Sequence, residues 1–281
     1  MSRIKRCFDG LHEQRRCALI PYITAGDPAP ELTVRIMHQL VDAGADLVEL
    51  GVPFSDPMAD GPVIQAACER ALAHGVTLHD VLEMVALFRT DNDETPVILM
   101  GYLNPVEVYG YEAFAKAARE AGVDGTLIVD MPPEESAPFL AALGEQAIDP
   151  VFLIAPTTPP DRISYIAACG SGFIYYVSLK GVTGAAHIDI ESVEKKLSEV
   201  RKATKLPLGV GFGIRDAASA AAVAAFADAV VVGSAIVKIL AENVDNQDKL
   251  INDVKDLIAS MRTAIDEHLA ANSETMQAVR Q

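Results

Sequence analysis

Apolar residues along this chain arrive in short runs, each bounded by Gly, Pro or another turn former. In order they are "ALIPYITAG" (18–26), "ADLVELGV" (45–52), "VILMGY" (97–102), "GTLIVDM" (125–131), "PVFLIAP" (150–156), "GFIYYVSL" (172–179), "LPLGVGFG" (206–213) and "DAVVVGSAIV" (228–237). Their near-continuous apolarity suits strands covered on both faces. Between them the pattern lengthens to a helical period. "PELTVRIMHQLVDAG" (30–44), "EAFAKAAREAG" (112–122), "ESVEKKLSEVRKAT" (191–204) and "DAASAAAVAAFA" (216–227) read as amphipathic helices, several opened by Pro or Asp and the first two closed by Gly. Strand and helix alternate through eight repeats, which implies parallel strands joined by right-handed crossovers. Closure into a single (β/α)8 TIM barrel is the favoured architecture, and a doubly wound open sheet is the alternative.

The long interval between the second and third runs holds two helical patterns, "VIQAACERALAHG" (63–75) and "TLHDVLEMVALFRT" (77–90), so it is an elaborated crossover. No linker, repeat or low-complexity segment divides the chain. "IKRCFDGLHEQ" (4–14) predicts a helix that plugs the bottom of the barrel, and "DKLINDVKDLIASMRTAIDEHLAA" (248–271) predicts the last amphipathic helix. The expected organisation is one catalytic domain over 1–270 and a frayed polar tail over 271–281.

Composition narrows the function classes. With 281 residues, half of them hydrophobic, the chain is long enough for a full α/β barrel. A net charge of -16 argues against nucleic acid or an anionic membrane surface as partner, because both reward basic patches. Cys7, Cys17, Cys68 and Cys169 lie far apart with no CxxC pair, which suggests neither a disulfide framework nor a zinc site. The six histidines have no ligand spacing, so no metal is expected. With no apolar leader and no run of about 18 apolar residues, a cytoplasmic location is expected.

Two stretches carry candidate chemistry. In "DLVELGVPFSDPMADGP" (46–62) an apolar strand bears Glu49 near its end. Alternation sends Leu47 and Glu49 to one side and Val48 and Leu50 to the other, so an inward Glu49 sits near the mouth, where barrel enzymes keep their chemistry. Burial there would raise its pKa and fit it for proton transfer; the competing reading is a structural carboxylate that reaches solvent or pairs with Lys. Asp60 competes as an N-cap for the following helix. At the other end, "GVGFG" (209–213) and "VVGSAIV" (231–237) close the last two strands, where barrels often bind phosphate on backbone N–H groups; tight βα turns are the alternative use of these glycines. "KGVTGA" (180–185) has the composition of a lid or of a plain exposed loop.

Taken together, "PYITAGDP", "ELGVPFSDPMADGPVIQ", "MGYLNPV", "VDMPPEES", "SLKGVTGA", "GFGI" and "GSAIV" resemble, in order and from about residue 18 to 240, the tryptophan synthase alpha subunit family. The resemblance implies a barrel lyase that splits indole-3-glycerol phosphate into indole and glyceraldehyde 3-phosphate. Carried over by motif, Glu49 is the general acid/base, Asp60 accepts the indole N–H, and Tyr175 supports Glu49 or the substrate. Gly184, Gly213, Gly233 and Ser234 match the phosphate cradle, with Thr183 in the lid. Tyr22, Met100, Tyr102, Leu127 and Phe212 wall the indole, with core packing as the rival role. Asp130 is expected to position a loop. Leu179 and Lys180 stand where some members carry Arg before GVTG, which leaves the closing salt bridge of those members in question here.

The same resemblance implies no cofactor in this chain and a beta subunit that carries pyridoxal phosphate, in an assembly of two alpha and two beta chains. Pro53, Asp56, Pro57, Asn104 and Pro105 fall on the mouth-side loops and are the expected partner contacts. A free-standing lyase and a catalytically silent regulatory subunit are the alternatives; intact Glu49 and Asp60 favour a catalytic chain.

Overall fold

A computed structural model of the chain describes residues 1–177, 190–211 and 213–278, with side chains up to residue 271. The expected Leu179, Lys180, Thr183, Gly184 and Phe212 therefore lie outside the described residues. The strands are β1 (Ala18–Thr24), β2 (Val48–Gly51), β3 (Val97–Gly101), β4 (Gly125–Ile128), β5 (Asp149–Pro150), β6 (Phe152–Ile154), β7 (Ile174–Val177), β8 (Leu208–Gly211) and β9 (Ala229–Val232). The helices are α1 (Arg3–Glu13), α2 (Pro30–Asp42), α3 (Pro62–Ala73), α4 (Leu78–Arg89), α5 (Leu103–Tyr109), α6 (Tyr111–Ala121), α7 (Ala137–Glu145), α8 (Pro160–Cys169), α9 (Ile190–Ala203), α10 (Ala217–Ala224), α11 (Ser234–Glu242) and α12 (Gln247–Ala278).

All strand pairings are parallel, in the order β5-β4-β3-β2-β1-β9-β8-β7-β6. The two ends of that order are halves of a single stave. β5 pairs with β4 and β6 with β7, and Val151 between them donates its N–H to Thr126 O at 2.8 Å. Pro150 has no N–H to give to a ladder, which accounts for the break. Eight staves thus form a closed barrel, as the eight apolar runs predict, and the open-sheet alternative falls away.

Alternation along the strands separates two cores. Ala18, Ile20, Leu47, Ile98, Leu127, Val151, Phe173, Tyr175, Ala229 and Val231 fill the interior, whereas Leu19, Val48, Leu50, Leu99, Tyr176, Val210 and Val230 pack outward on the helices. Helix α1 plugs the bottom as expected. Ser2 caps it by accepting Lys5 N–H at 3.2 Å, and Ile4, Phe8 and Leu11, spaced at four and three residues, join the interior cluster.

Helix α5 is not foreseen by the pattern, because seven residues hold too little periodicity and Pro105 reads as a breaker. Pro105 falls in the first turn, where no intrahelical N–H is needed, and Asp130 at the end of the neighbouring stave accepts Leu103 N–H at 2.8 Å. This is a loop-positioning task, as expected for Asp130. At the far end the backbone of α12 stays helical to Ala278, well into the 271–281 segment expected to fray. Among the described residues no single helix is long and apolar enough to cross a membrane.

Candidate active site

Glu49 occupies β2 in register with Tyr22 of β1 and Ile98 of β3, on the inward side with Leu47. It is 2% exposed, and its Oε1 has no hydrogen-bond partner among the described residues. Buried carboxyl oxygens nearly always find a partner, so the orphan demands an explanation. Burial pushes the pKa of Glu49 up to about 8, and the nearby Asp60 charge pushes it the same way. The competing reading, a carboxylate that reaches solvent or pairs with Lys, does not describe this environment.

Asp60 reaches the same region from the loop between β2 and α3. It does not cap α3: the N-cap is Gly61, which forms no side-chain cap bond, and Pro62 needs no partner for an N–H. The Asp60 carboxylate instead accepts the Tyr102 phenol at 2.9 Å on Oδ2. Burial raises its pKa and the Tyr102 bond lowers it. Gln65 Nε2 on α3 donates to Asp60 O at 2.9 Å, which ties the loop to the helix behind it.

Three tyrosines surround this pair. Tyr22 crosses toward β2, where a Cβ on Gly51 would stand 2.2 Å from its hydroxyl, and that hydroxyl lies 3.1 Å from Thr24 Oγ1. Tyr175 on β7 lies over β8 in the same manner, with its hydroxyl 2.1 Å from where a Cβ on Gly211 would be. Burial holds both phenols well above their ordinary pKa, and the Glu49 and Asp60 charges add to it, so both remain neutral. Tyr102 reaches the loop that carries Asp60. Its ring stacks on Phe54 at 5.1 Å and its hydroxyl accepts Ala59 N–H at 2.9 Å while donating to Asp60.

These contacts also revise the reading of "GVGFG". Gly209 and Gly211 are strand positions left bare so that Phe173 and Tyr175 can fill the barrel. Gly213, with φ +79, is the one in the left-handed region. Gly213 and the Gly233-Ser234 pair lie beyond the C-terminal ends of adjacent staves β8 and β9, and Gly233 precedes the nine-residue helix α11. Met100 and Leu127 pair in register and both belong to the interior cluster.

Of the expected partner contacts, Asp56 and Asn104 are exposed, Pro57 and Pro105 are half-buried, and Pro53 is buried. Pro53 therefore offers no surface in this chain. Sequence reasoning missed Met58 and Val108, 84% and 83% exposed, which add apolar surface to the same two mouth-side segments. An isolated Met inside a Pro- and Asp-rich loop was the available signal for the first. Beside them Phe54, Ser55, Asp56, Pro57 and Met58 line an open cleft of about 340 Å³ with Gln65 and Glu69 of α3. No group of three or more His, Cys, Asp or Glu is placed to hold a metal among the described residues.

Comparison with known proteins places this geometry. The family model described as tryptophan synthase alpha chain matches residues 8–266. The tryptophan synthase alpha chain of Nitrosococcus oceani is 59% identical over 266 residues, covering 95% of this chain and 98% of that protein. That of Thioalkalivibrio sulfidiphilus is 60% identical over 266 residues, covering 95% and 100%. Among solved structures, tryptophan synthase subunit alpha from Legionella pneumophila superposes with a TM-score of 0.89 at 47% identity, covering 95% of this chain and 99% of that one. A tryptophan synthase chain from Mycobacterium tuberculosis gives 0.84 at 36% identity, covering 94% and 98%.

Proposed function

The chain belongs to the tryptophan synthase alpha chain family, and from that premise we propose that Glu49 and Asp60 carry the proton and charge chemistry of its reaction. That reaction is the cleavage of indole-3-glycerol phosphate to indole and glyceraldehyde 3-phosphate, and the chain is accordingly a carbon–carbon lyase. The bond that breaks joins indole C3 to a hydroxyl-bearing carbon. C3 must first gain a proton, which leaves the ring nitrogen as a cation. The hydroxyl then loses its proton, its oxygen forms the aldehyde, and the electrons of the broken bond restore the neutral aromatic ring.

Glu49 suits both proton transfers, because a pKa of about 8 leaves it protonated and able to donate near neutral pH, after which it can accept the hydroxyl proton. Asp60, with the Tyr102 hydroxyl on one oxygen, is the better carboxylate to stay ionised and face the ring N–H and its developing charge. Tyr175 and Tyr22 serve as neutral hydroxyls beside them. Met100 and Leu127, together with Tyr22, offer the apolar wall for the indole. The phosphate falls to backbone N–H groups around Gly213, Gly233 and Ser234, at the end of the barrel where a helix start favours an anion. The observation that carries this reading is the buried Glu49 carboxyl with an unpartnered oxygen.

Indole is small and apolar, and direct transfer retains it. A beta subunit carrying pyridoxal phosphate, docked over the mouth against Asp56, Pro57, Met58 and Asn104, would receive it in an assembly of two alpha and two beta chains in the cytoplasm. The exposed Met58 and Val108 support that face as the contact.

Indole release from indole-3-glycerol phosphate tests the assignment. Glu49→Gln is expected to lower turnover by roughly a hundred- to ten-thousand-fold with substrate affinity retained. Asp60→Asn also slows cleavage. Near-normal turnover in Glu49→Gln overturns the role given to Glu49. Adding a beta subunit is expected to raise the rate at least about tenfold, equivalent to about 1.4 kcal/mol; an equal rate with no complex in sedimentation would favour a free-standing lyase.

A further inference from the structure

The loop that carries Asp60 holds few contacts with the barrel that could aim a carboxylate. Ser55, Asp56, Met58 and Ala59 are exposed, and Ser55 Oγ bonds to the adjacent Asp56 at 2.6 Å. Gln65 holds the Asp60 carbonyl, and Tyr102 reaches the carboxylate itself. This tyrosine closes β3, is 3% exposed, and precedes α5, whose first N–H is held by Asp130. From this fixed base its hydroxyl takes the Ala59 N–H and gives its own proton to Asp60 Oδ2, both at 2.9 Å, while Phe54 at the other end of the loop stacks on its ring at 5.1 Å and 26°. One side chain thus touches the loop at its beginning, at the residue before the carboxylate, and at the carboxylate itself.

We propose that Tyr102 is a positioning residue for the cleavage reaction, one that clamps the loop and presents Asp60 to the substrate as an aimed, ionised carboxylate. This inference rests on the role given to Asp60 above. The direction of the hydrogen bond matters here. An O–H that donates to a carboxylate stabilises the charged form, and because the same oxygen is already occupied as acceptor by Ala59 N–H, the phenol proton is committed to Asp60. A wall residue would need only the ring. The hydroxyl is what the proposed task requires.

Other groups feel the Asp60 charge: Glu49 from β2, Tyr22 from β1, Tyr175 from β7 and Cys68 from α3. Among the described residues Tyr102 is the side chain that donates a hydrogen bond to the carboxylate. Burial opposes ionisation of Asp60 and Tyr102 favours it. Without the hydroxyl, burial acts unopposed by that bond.

Tyr102→Phe tests this, since it keeps the ring on Phe54 and removes only the hydroxyl. The acid limb of kcat/KM for indole-3-glycerol phosphate is expected to move up by about one pH unit, with kcat reduced at least about fivefold and KM changed less. In an Asp60→Asn background the same substitution should add little. A limb that stays in place, or a loss confined to KM, overturns the proposal and returns Tyr102 to the pocket wall. Carbon-13 NMR titration of the Asp60 carboxyl gives a second measurement that does not depend on turnover: its pKa should rise in Tyr102→Phe, and an unchanged value refutes the proposal. Should the wild-type chain release no indole, the functional reading of Asp60 fails, whereas the titration still decides what Tyr102 does to that carboxylate.

Discussion

At the N-terminal end of the staves Asp124 accepts Arg89 Nη2 at 2.7 Å, Arg3 Nη1 at 3.0 Å and Val97 N–H at 2.9 Å. At the C-terminal end Glu49, just as deeply buried, leaves Oε1 with no partner among the described residues. Asp46 repeats the first arrangement, with Leu19 N–H at 2.9 Å and Arg262 Nη1 at 3.1 Å, and Asp228 accepts Leu208 N–H at 2.7 Å with Arg201 alongside at 2.9 Å. Both ends place acids on or beside the strands. The base gives each one a backbone N–H from the neighbouring stave and an arginine, so these acids are rivets. The mouth withholds partners from Glu49, and a carboxyl kept hungry for a proton is what acid/base work needs.

The sharpest way to break this contrast is to cut at the base. Asp124→Ala leaves Arg89 and Arg3 facing an empty site and is expected to lower stability by about 3–5 kcal/mol. Turnover per folded molecule should hold, and chemical denaturation beside the indole assay would check both. A loss of turnover without a loss of stability would mean that the base also takes part in the chemistry.

A smaller effect is expected at the mouth from Gly51→Ala. The added methyl would meet the Tyr22 hydroxyl at 2.2 Å, and that ring is packed, so it must shift. We expect about 1–3 kcal/mol of destabilisation, the usual range for overpacking, together with reduced turnover because Tyr22 borders Glu49. A variant that keeps both would show that the Tyr22 ring has room to move.

A third effect separates the two ends by pH. Glu49 keeps its proton in the folded chain up to about pH 8, whereas the unfolded chain releases it above its ordinary value of 4.5. Across that window the folded state binds more protons, so burial of Glu49 lowers stability progressively as pH rises from about 4.5, and the loss levels off above about 8. Glu49→Gln, which cannot ionise but retains a buried polar group, should match wild type near pH 4 and be clearly the more stable of the two at about pH 9. Thermal melts at the two pH values read this directly. Equal melting at both would mean that Glu49 has a partner in solution.

The barrel was legible because each stave writes its own signal: a short apolar run closed by Gly or Pro, with Leu47 and Glu49 grouped on one face by alternation, the face that the fold turns inward. Glu49 stood out as an acid inside such a run, and motif resemblance supplied its partner Asp60. What the residues could not tell was direction within loops. Tyr102 reads as one more aromatic after a strand, and only the folded chain brings its hydroxyl to a carboxylate 42 positions away. Gly209 and Gly211 misled for the opposite reason. A glycine spared for a turn and one spared for a neighbour's ring are written with the same letter.

The plug at the base bears on how the barrel is assembled. Ile4 lies under strands far along the chain: a Cβ on Gly125 would come within 2.9 Å of its Cδ1, and one on Gly172 within 3.4 Å of its Cγ2. Helix α1 is made before any of the surfaces that seat it, and its amphipathic face has no complete site until the sixth stave has arrived. Such long-range pairings slow folding and leave apolar surface uncovered in the interim. The first helix is therefore the latch that closes late, and trimming Ile4 or Phe8 should show itself mainly in the rate at which the finished barrel springs open.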